Sequence, residues 1–282
     1  MKLGVSMFNT DYSIRIDDLA LEVEARGFES LWVPEHTHIP KSRKSPWPGG
    51  PTLPKEYWHA HDPFVALATA AAVTSRLKIG TGICLVVERD PITLAKEVAS
   101  LDFLSRGRFL FGIGSGWNAE EMENHGTDFK KRWRVLREKI LAMKEIWTKD
   151  EAEFHGEFVN FDPIWSYPKP VQKPHPPILL GVNTPKGRER IVDYCDGWFP
   201  IAARAGDLAA GIADLRRLAE KARRDPASLT VSVCAATPEE SAVRGYEKAG
   251  AERAVFILPS GDRDTVLPIL DRYAKLAQAF SR

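Results

Sequence analysis

From one end to the other, the chain alternates between short runs that are apolar throughout and longer stretches that are apolar on one side only. The short runs fall at roughly 2–8, 30–34, 78–84, 109–113, 177–182, 197–202, 229–234 and 253–258. Between and after them, helix-period stretches fall at about 14–26, 63–75, 92–104, 130–148, 186–195, 207–223, 238–249 and 263–280. Short, continuously apolar strands bounded by turn residues are what a parallel sheet covered on both faces requires. The pattern predicts an α/β chain, a (β/α)8 TIM barrel. A doubly wound sheet is the rival, because strand count alone does not close a barrel. Alternation that never breaks over the whole length favours the barrel. No Gly- or Ser-rich linker and no shift in composition divides the chain, so residues 1–282 are read as one domain. Local signals agree: Arg26-Gly27 sets a basic residue and then a glycine stop at the end of the first helix.

Two insertions depart from the alternation. Residues 36–61, after strand 2, carry Pro40, Pro46, Pro48, Pro51 and Pro54, and read as an ordered loop without helix. Residues 149–176, before strand 5, read as a small hairpin (EFHGEFVNF) running into a proline-rich segment (PKPVQKPHPP). Both are expected over the C-terminal ends of the strands or at their flanks, where insertions shape active sites.

Composition narrows the function. With 282 residues the chain buries nearly three-quarters of its unfolded surface, enough for a full core without staples. Lys+Arg 39 against Asp+Glu 38 argues against a nucleic-acid or membrane-surface binder. No apolar run reaches the roughly 18 residues of a membrane span. The start, Met1-Lys2-Leu3-Gly4-Val5, lacks a signal peptide's pattern, so a cytoplasmic location is expected. Cys84, Cys195 and Cys234 are too few and too far apart for a disulfide framework or a zinc site. Cys84 as a nucleophile has no identifiable base, and a buried structural thiol is the better reading.

Candidate chemistry gathers at the strand ends. Glu35-His36-Thr37-His38 follows strand 2 directly, where a histidine projects toward a barrel's mouth and suits general acid–base work. His36 and His38 also match a metal pair, but the later strand ends offer no further ligands, and the metal-dependent hydrolase ranks third. Gly112-Ile113-Gly114-Ser115-Gly116-Trp117 resembles a dinucleotide fingerprint, except that Trp117 stands in place of the third glycine. Its glycines still permit close approach of a ligand to the backbone. Gly181-Val182-Asn183-Thr184-Pro185 opens a helix with a capping threonine, and a helix N-terminus is a ready phosphate site. Gly80 and Gly82 mark a bulge or a close approach in strand 3. Together these signals favour a phosphate-bearing ring cofactor.

The same residues resemble the luciferase-like superfamily of flavin and deazaflavin oxidoreductases. The likeness runs from Met1 to Arg282 and rests on LWVPEHTHIP, on KIGTGICLV…RDPITLAKEVASLDFLSRGRFLFGIGSGW, and on FHGEFVNF…PKPVQKPHPPILLGVNTPKGRERIVDYCDGWFP. It implies a barrel binding the deazaflavin coenzyme F-420 or reduced FMN over its C-terminal face. By this resemblance Glu35 and His36 approach the ring. Gly82-Ile83 forms a non-prolyl cis peptide behind it, with Leu85 beside them. Ser115, Gly116 and Glu120 follow the fourth strand, and Gly181, Val182, Asn183 and Thr184 hold the phosphate. Deazaflavin sugar-phosphate dehydrogenases carry a glutamate acid where this chain has Trp117, which suggests an apolar or stacking substrate wall instead. The leading expectation is hydride transfer between F-420 and a small apolar or aromatic substrate, with His36 as the catalytic acid–base. An FMN-dependent monooxygenase fed by a separate reductase is the alternative, and a non-enzymatic binding module ranks last. A homodimer is expected from the resemblance alone, with no nucleic-acid or membrane partner.

Overall fold

The computed structural model describes residues 1–280. Its strands are β1 (Lys2–Ser6), β2 (Ser30–Val33), β3 (Lys78–Thr81), β4 (Cys84–Leu85), β5 (Phe109–Gly114), β6 (Ala152–His155), β7 (Asn160–Ile164), β8 (Ile178–Leu180), β9 (Gly197–Trp198), β10 (Thr230–Cys234) and β11 (Arg253–Ile257). All except the antiparallel hairpin β6–β7 join one parallel sheet in the order β3-β2-β1-β11-β10-β9-β8-β5-β4. The pairing of β3 with β5 closes that sheet into the expected barrel. It has eight staves because β3 and β4 are two pieces of one, both hydrogen-bonded to β5.

The helices are α1 (Ile16–Ala25), α2 (Glu56–His59), α3 (Pro63–Val73), α4 (Pro91–Leu104), α5 (Ala119–Asn124), α6 (Arg132–Thr148), α7 (Pro185–Tyr194), α8 (Leu208–Lys221), α9 (Glu240–Ala249) and α10 (Arg263–Gln278). Three of them begin with the same local chemistry. Asp62, Asp90 and Thr184 accept hydrogen bonds from first-turn N–H groups, and a proline follows each as the first helical residue.

Two cores result. A shell of aliphatic and aromatic residues fills the space between staves and helices, and a smaller cluster of Trp32, Leu110, Leu179, Phe199 and Val255 plugs the barrel itself. The glycines of strand 3 make room for that plug: a Cβ on Gly80 would collide with the Trp32 indole. Close approach by a side chain, not by a ligand, is therefore what Gly80 supplies.

Two expectations need correction. The loop at 36–61 does contain a helical turn, α2, which starts after the last proline, Pro54. The sixth stave, read as 197–202, keeps only Gly197–Trp198 in the ladder, with an isolated bridge from Ile201 to Cys234. The hairpin β6–β7 packs along α6, where Glu138 accepts from the N–H groups of Glu157, Phe158 and Val159. It thus takes the flanking place of the two expected, while the 36–61 insertion is tied through Ser45 to α5 at the strand ends.

Candidate active site

Glu35 and His36 leave β2 together, both buried, and find different partners. Glu35 accepts from the Leu85 N–H at 2.6 Å and from Arg89 Nε at 2.6 Å, while Arg89 also pairs with Asp62 and Glu97. Its carboxylate therefore fastens β4 to the starts of α3 and α4. His36 Nδ1 instead lies 2.8 and 3.0 Å from the two carboxylate oxygens of Glu121, a residue with no exposed surface. A carboxylate only accepts, so Nδ1 carries the proton and Nε2 is left as the acceptor that can trade a proton with a ligand.

The insertion supplies aromatic walls. The Tyr57 ring centroid lies 5.2 Å from His36, 4.6 Å from Phe8 and 5.7 Å from Trp47. Trp117 meets His36 edge-on at 5.8 Å. Burial pushes the Tyr57 hydroxyl above its ordinary range, so it stays protonated at neutral pH. His38 turns away from this group to Thr37 and Asn124, so the two histidines do not converge.

A third carboxyl, Glu88, sits beneath. Burial, and then the charges of Glu121 and Glu35, push it up to about 9, and neither of its oxygens has a hydrogen-bond partner. At neutral pH Glu88 is therefore an uncharged acid, which spares Glu121 a like charge.

The residues expected around a ring cofactor lie as follows. The Gly82–Ile83 peptide is cis, and both residues are partly exposed at the mouth. The Ile83 side chain packs over Gly114 and Gly181, where any Cβ would obstruct it. Ser115 is buried in the turn after β5, and Gly116 takes a left-handed φ of 70°. Glu120 accepts from the Ser45 N–H at 2.9 Å and Ala119 N–H donates to Ser45 Oγ at 3.1 Å, which ties the insertion to α5. Asn183 and Thr184 spend their side chains on the protein: Asn183 Oδ1 accepts from Ile201 N–H at 3.0 Å, and Thr184 caps α7. What they leave for an anion is backbone at the head of α7, an arrangement suited to phosphate.

The fit to a flavin-type ring is carried by an orphan. Asn9, just past β1 and 1% exposed, has no partner for either Oδ1 or Nδ2. A buried amide in that state calls for a ligand that both donates and accepts. Asn9, Tyr57, Glu88 and Glu121 were not singled out in the sequence. Asn9 had a usable signal, a polar residue just beyond a strand, whereas Glu121 lies on a helix too short to show a period.

Replacing Asn183 and Thr184 together by alanine should loosen the start of α7. We expect cofactor affinity and thermal stability both to fall, each by about 2 kcal/mol. Titration and melting curves check this, and unchanged affinity would put the phosphate elsewhere.

Residues 10–275 match the luciferase-like monooxygenase family. An uncharacterized protein of Mycobacterium tuberculosis is 39% identical over 282 residues, covering 98% of this chain and 99% of its own. The F-420-dependent hydroxymycolic acid dehydrogenase of the same organism is 28% identical over 89% of this chain and 66% of its own. An FMNH2-dependent dimethylsulfone monooxygenase of Pseudomonas putida is 32% identical over 51% of this chain and 40% of its own. Among solved structures, monooxygenase RslO1 from Streptomyces bottropensis superposes with a TM-score of 0.81 at 19% identity, covering 100% of both chains, a likeness of fold.

Proposed function

The chain belongs to the luciferase-like monooxygenase family, and from that premise we propose that it is an oxidoreductase using coenzyme F-420. It moves hydride between the deazaflavin ring and a small apolar or aromatic substrate. The observation that carries this reading is the buried His36–Glu121 pair beside an aromatic wall. When bound, the deazaflavin would supply the hydride acceptor or donor. Asn9, Gly82, Ile83 and the head of α7 would hold it. In the oxidative direction, Nε2 of His36 takes the proton of the substrate hydroxyl as hydride leaves the carbon that bears it. In the reductive direction, Nε2 returns that proton. Glu121 holds the ring in the tautomer that makes both steps possible and steadies the imidazolium between them. Trp117 and Tyr57 exclude water and offer faces for a flat or apolar substrate.

A second reading, an FMN-dependent monooxygenase supplied by a separate reductase, draws on the dimethylsulfone monooxygenase relative. Titration of the protein with F-420 and with FMN at one salt concentration separates the two. We expect tighter binding of F-420. FMN binding tenfold tighter, about 1.4 kcal/mol, would reverse the order.

A further inference from the structure

Between Glu35 and Glu56 the insertion over the mouth carries four cations, Lys41, Arg43, Lys44 and Lys55, and no carboxylate. Lys55 lies over the Tyr12 ring at 3.9 Å, and Lys41 and Lys44 are exposed. Arg43 differs from all three. It is half-buried, and its backbone is held at a φ of 49°, in the left-handed region that residues with a Cβ seldom enter. The turn that imposes this, with the Arg43 N–H donating to Pro40 O at 3.2 Å, sets the guanidinium 5.7 Å from the Trp117 ring centre. That indole is the one whose edge meets His36.

Among the described residues no carboxylate pairs with Arg43, and its Nη1 is buried without an acceptor. The contrast is Arg89, which engages Glu35, Asp62 and Glu97. Contact with an indole satisfies the face of a guanidinium but not its edge, and a buried N–H without an acceptor is costly. Asn118, next to Trp117 and 3% exposed, likewise has a buried Nδ2 with no acceptor. Glu120, the nearby carboxylate of the same turn, has one oxygen on the Ser45 N–H and the other buried without a hydrogen-bond partner. As the protein is folded, neither Arg43 Nη1 nor Asn118 Nδ2 has an acceptor, and Glu120 Oε2 is bonded to neither of them.

We propose that Arg43 anchors a carboxylate on the substrate, so that the site takes a planar, apolar carboxylic acid. Its flat body lies against Trp117 and Tyr57, and its carboxylate takes the edge of the guanidinium, a match that two parallel N–H groups favour. The inference rests on the mouth being the substrate site. The competing source of an anion is the cofactor itself, through its phosphate.

Calorimetric titration of the cofactor-loaded protein with 2-naphthoate and with its neutral isostere 2-naphthamide, at one salt concentration, tests the proposal. The wild type should bind naphthoate at least about tenfold tighter than naphthamide. Arg43→Ala should erase that preference while leaving naphthamide and cofactor affinities within about threefold, and Arg43→Lys should restore part of it. Equal affinities in the wild type, no binding of naphthoate, or a preference that survives Arg43→Ala would each overturn the proposal. Cofactor affinity lost tenfold or more in Arg43→Ala would overturn it too, by giving the arginine to the cofactor's phosphate. Failure of the functional reading shows separately, as failure of the wild type to bind either F-420 or FMN. The two naphthyl probes then decide the anchor on the unloaded protein.

Discussion

His36→Asn should leave cofactor affinity within about threefold of the wild type and slow turnover by roughly 10²–10⁴-fold, the usual span for a positioned acid–base group. Asparagine keeps a polar side chain near Glu121 but has no nitrogen that can take up and return a proton at neutral pH. The large effect therefore belongs to the chemical step, and stopped-flow reduction or oxidation of the cofactor is the measurement that isolates it. Glu121→Gln should fall in the same direction by about 10²-fold, because a neutral amide neither stabilises the imidazolium nor dictates which ring nitrogen carries the proton. It should also shift the pH profile of the step, which a merely structural change at a fully buried position would not do. Wild-type rates in His36→Asn would remove the histidine from the mechanism. Parallel loss of folding and cofactor binding would make it a structural residue.

Glu88 should make the protein's stability fall as pH rises. Its carboxyl is pushed up to about 9 in the folded chain and returns to the ordinary carboxylate range on unfolding, so between those values the folded state binds the extra proton. The sign follows: the contribution is fully present below about pH 4.5, declines as pH rises, and is gone above about pH 9. A displacement of that size corresponds to several kcal/mol across the window, by the roughly 1.4 kcal/mol that each pKa unit represents. Glu88→Gln mimics the neutral acid and should melt close to the wild type near pH 5. From about pH 5 upward it should melt progressively higher than the wild type, because its unfolded chain has no carboxyl at this position to ionise. Melting curves from pH 5 to pH 9.5 check this. Parallel pH slopes for the two proteins would mean that Glu88 is already ionised at neutral pH.

Much of the architecture was legible because it is written locally. Apolar runs mark the staves, and Asp62-Pro63, Asp90-Pro91 and Thr184-Pro185 are complete helix starts within two residues. A histidine directly after a strand is legible for the same reason, since a barrel sends every strand end to one face. Glu120 and Glu121 show where such reading stops. They are adjacent in sequence, yet one accepts from Ser45 in the insertion and the other from His36. Only the pitch of a six-residue helix separates those roles, and six residues are too few to reveal a phase.

The order of the staves, the helix starts, the two insertions and the place of His36 were thus determined by the sequence itself, through periodicity and capping. The tertiary structure decided the rest. It broke the third stave between Thr81 and Cys84 and set the Trp32 indole where Gly80 leaves room for it. It turned Glu35 to Leu85 and Arg89, fifty and more positions along the chain, and brought Glu121 to His36 across eighty-five. It also buried the side-chain amide of Asn9, the carboxyl of Glu88 and Arg43 Nη1 without hydrogen-bond partners inside the protein. Pairings over such distances carry no local signal, because any of several carboxylates could satisfy a given cation or imidazole. The choice among them is made only when closure of the barrel brings the strand ends together and excludes water, so that each charge must take the partner within reach.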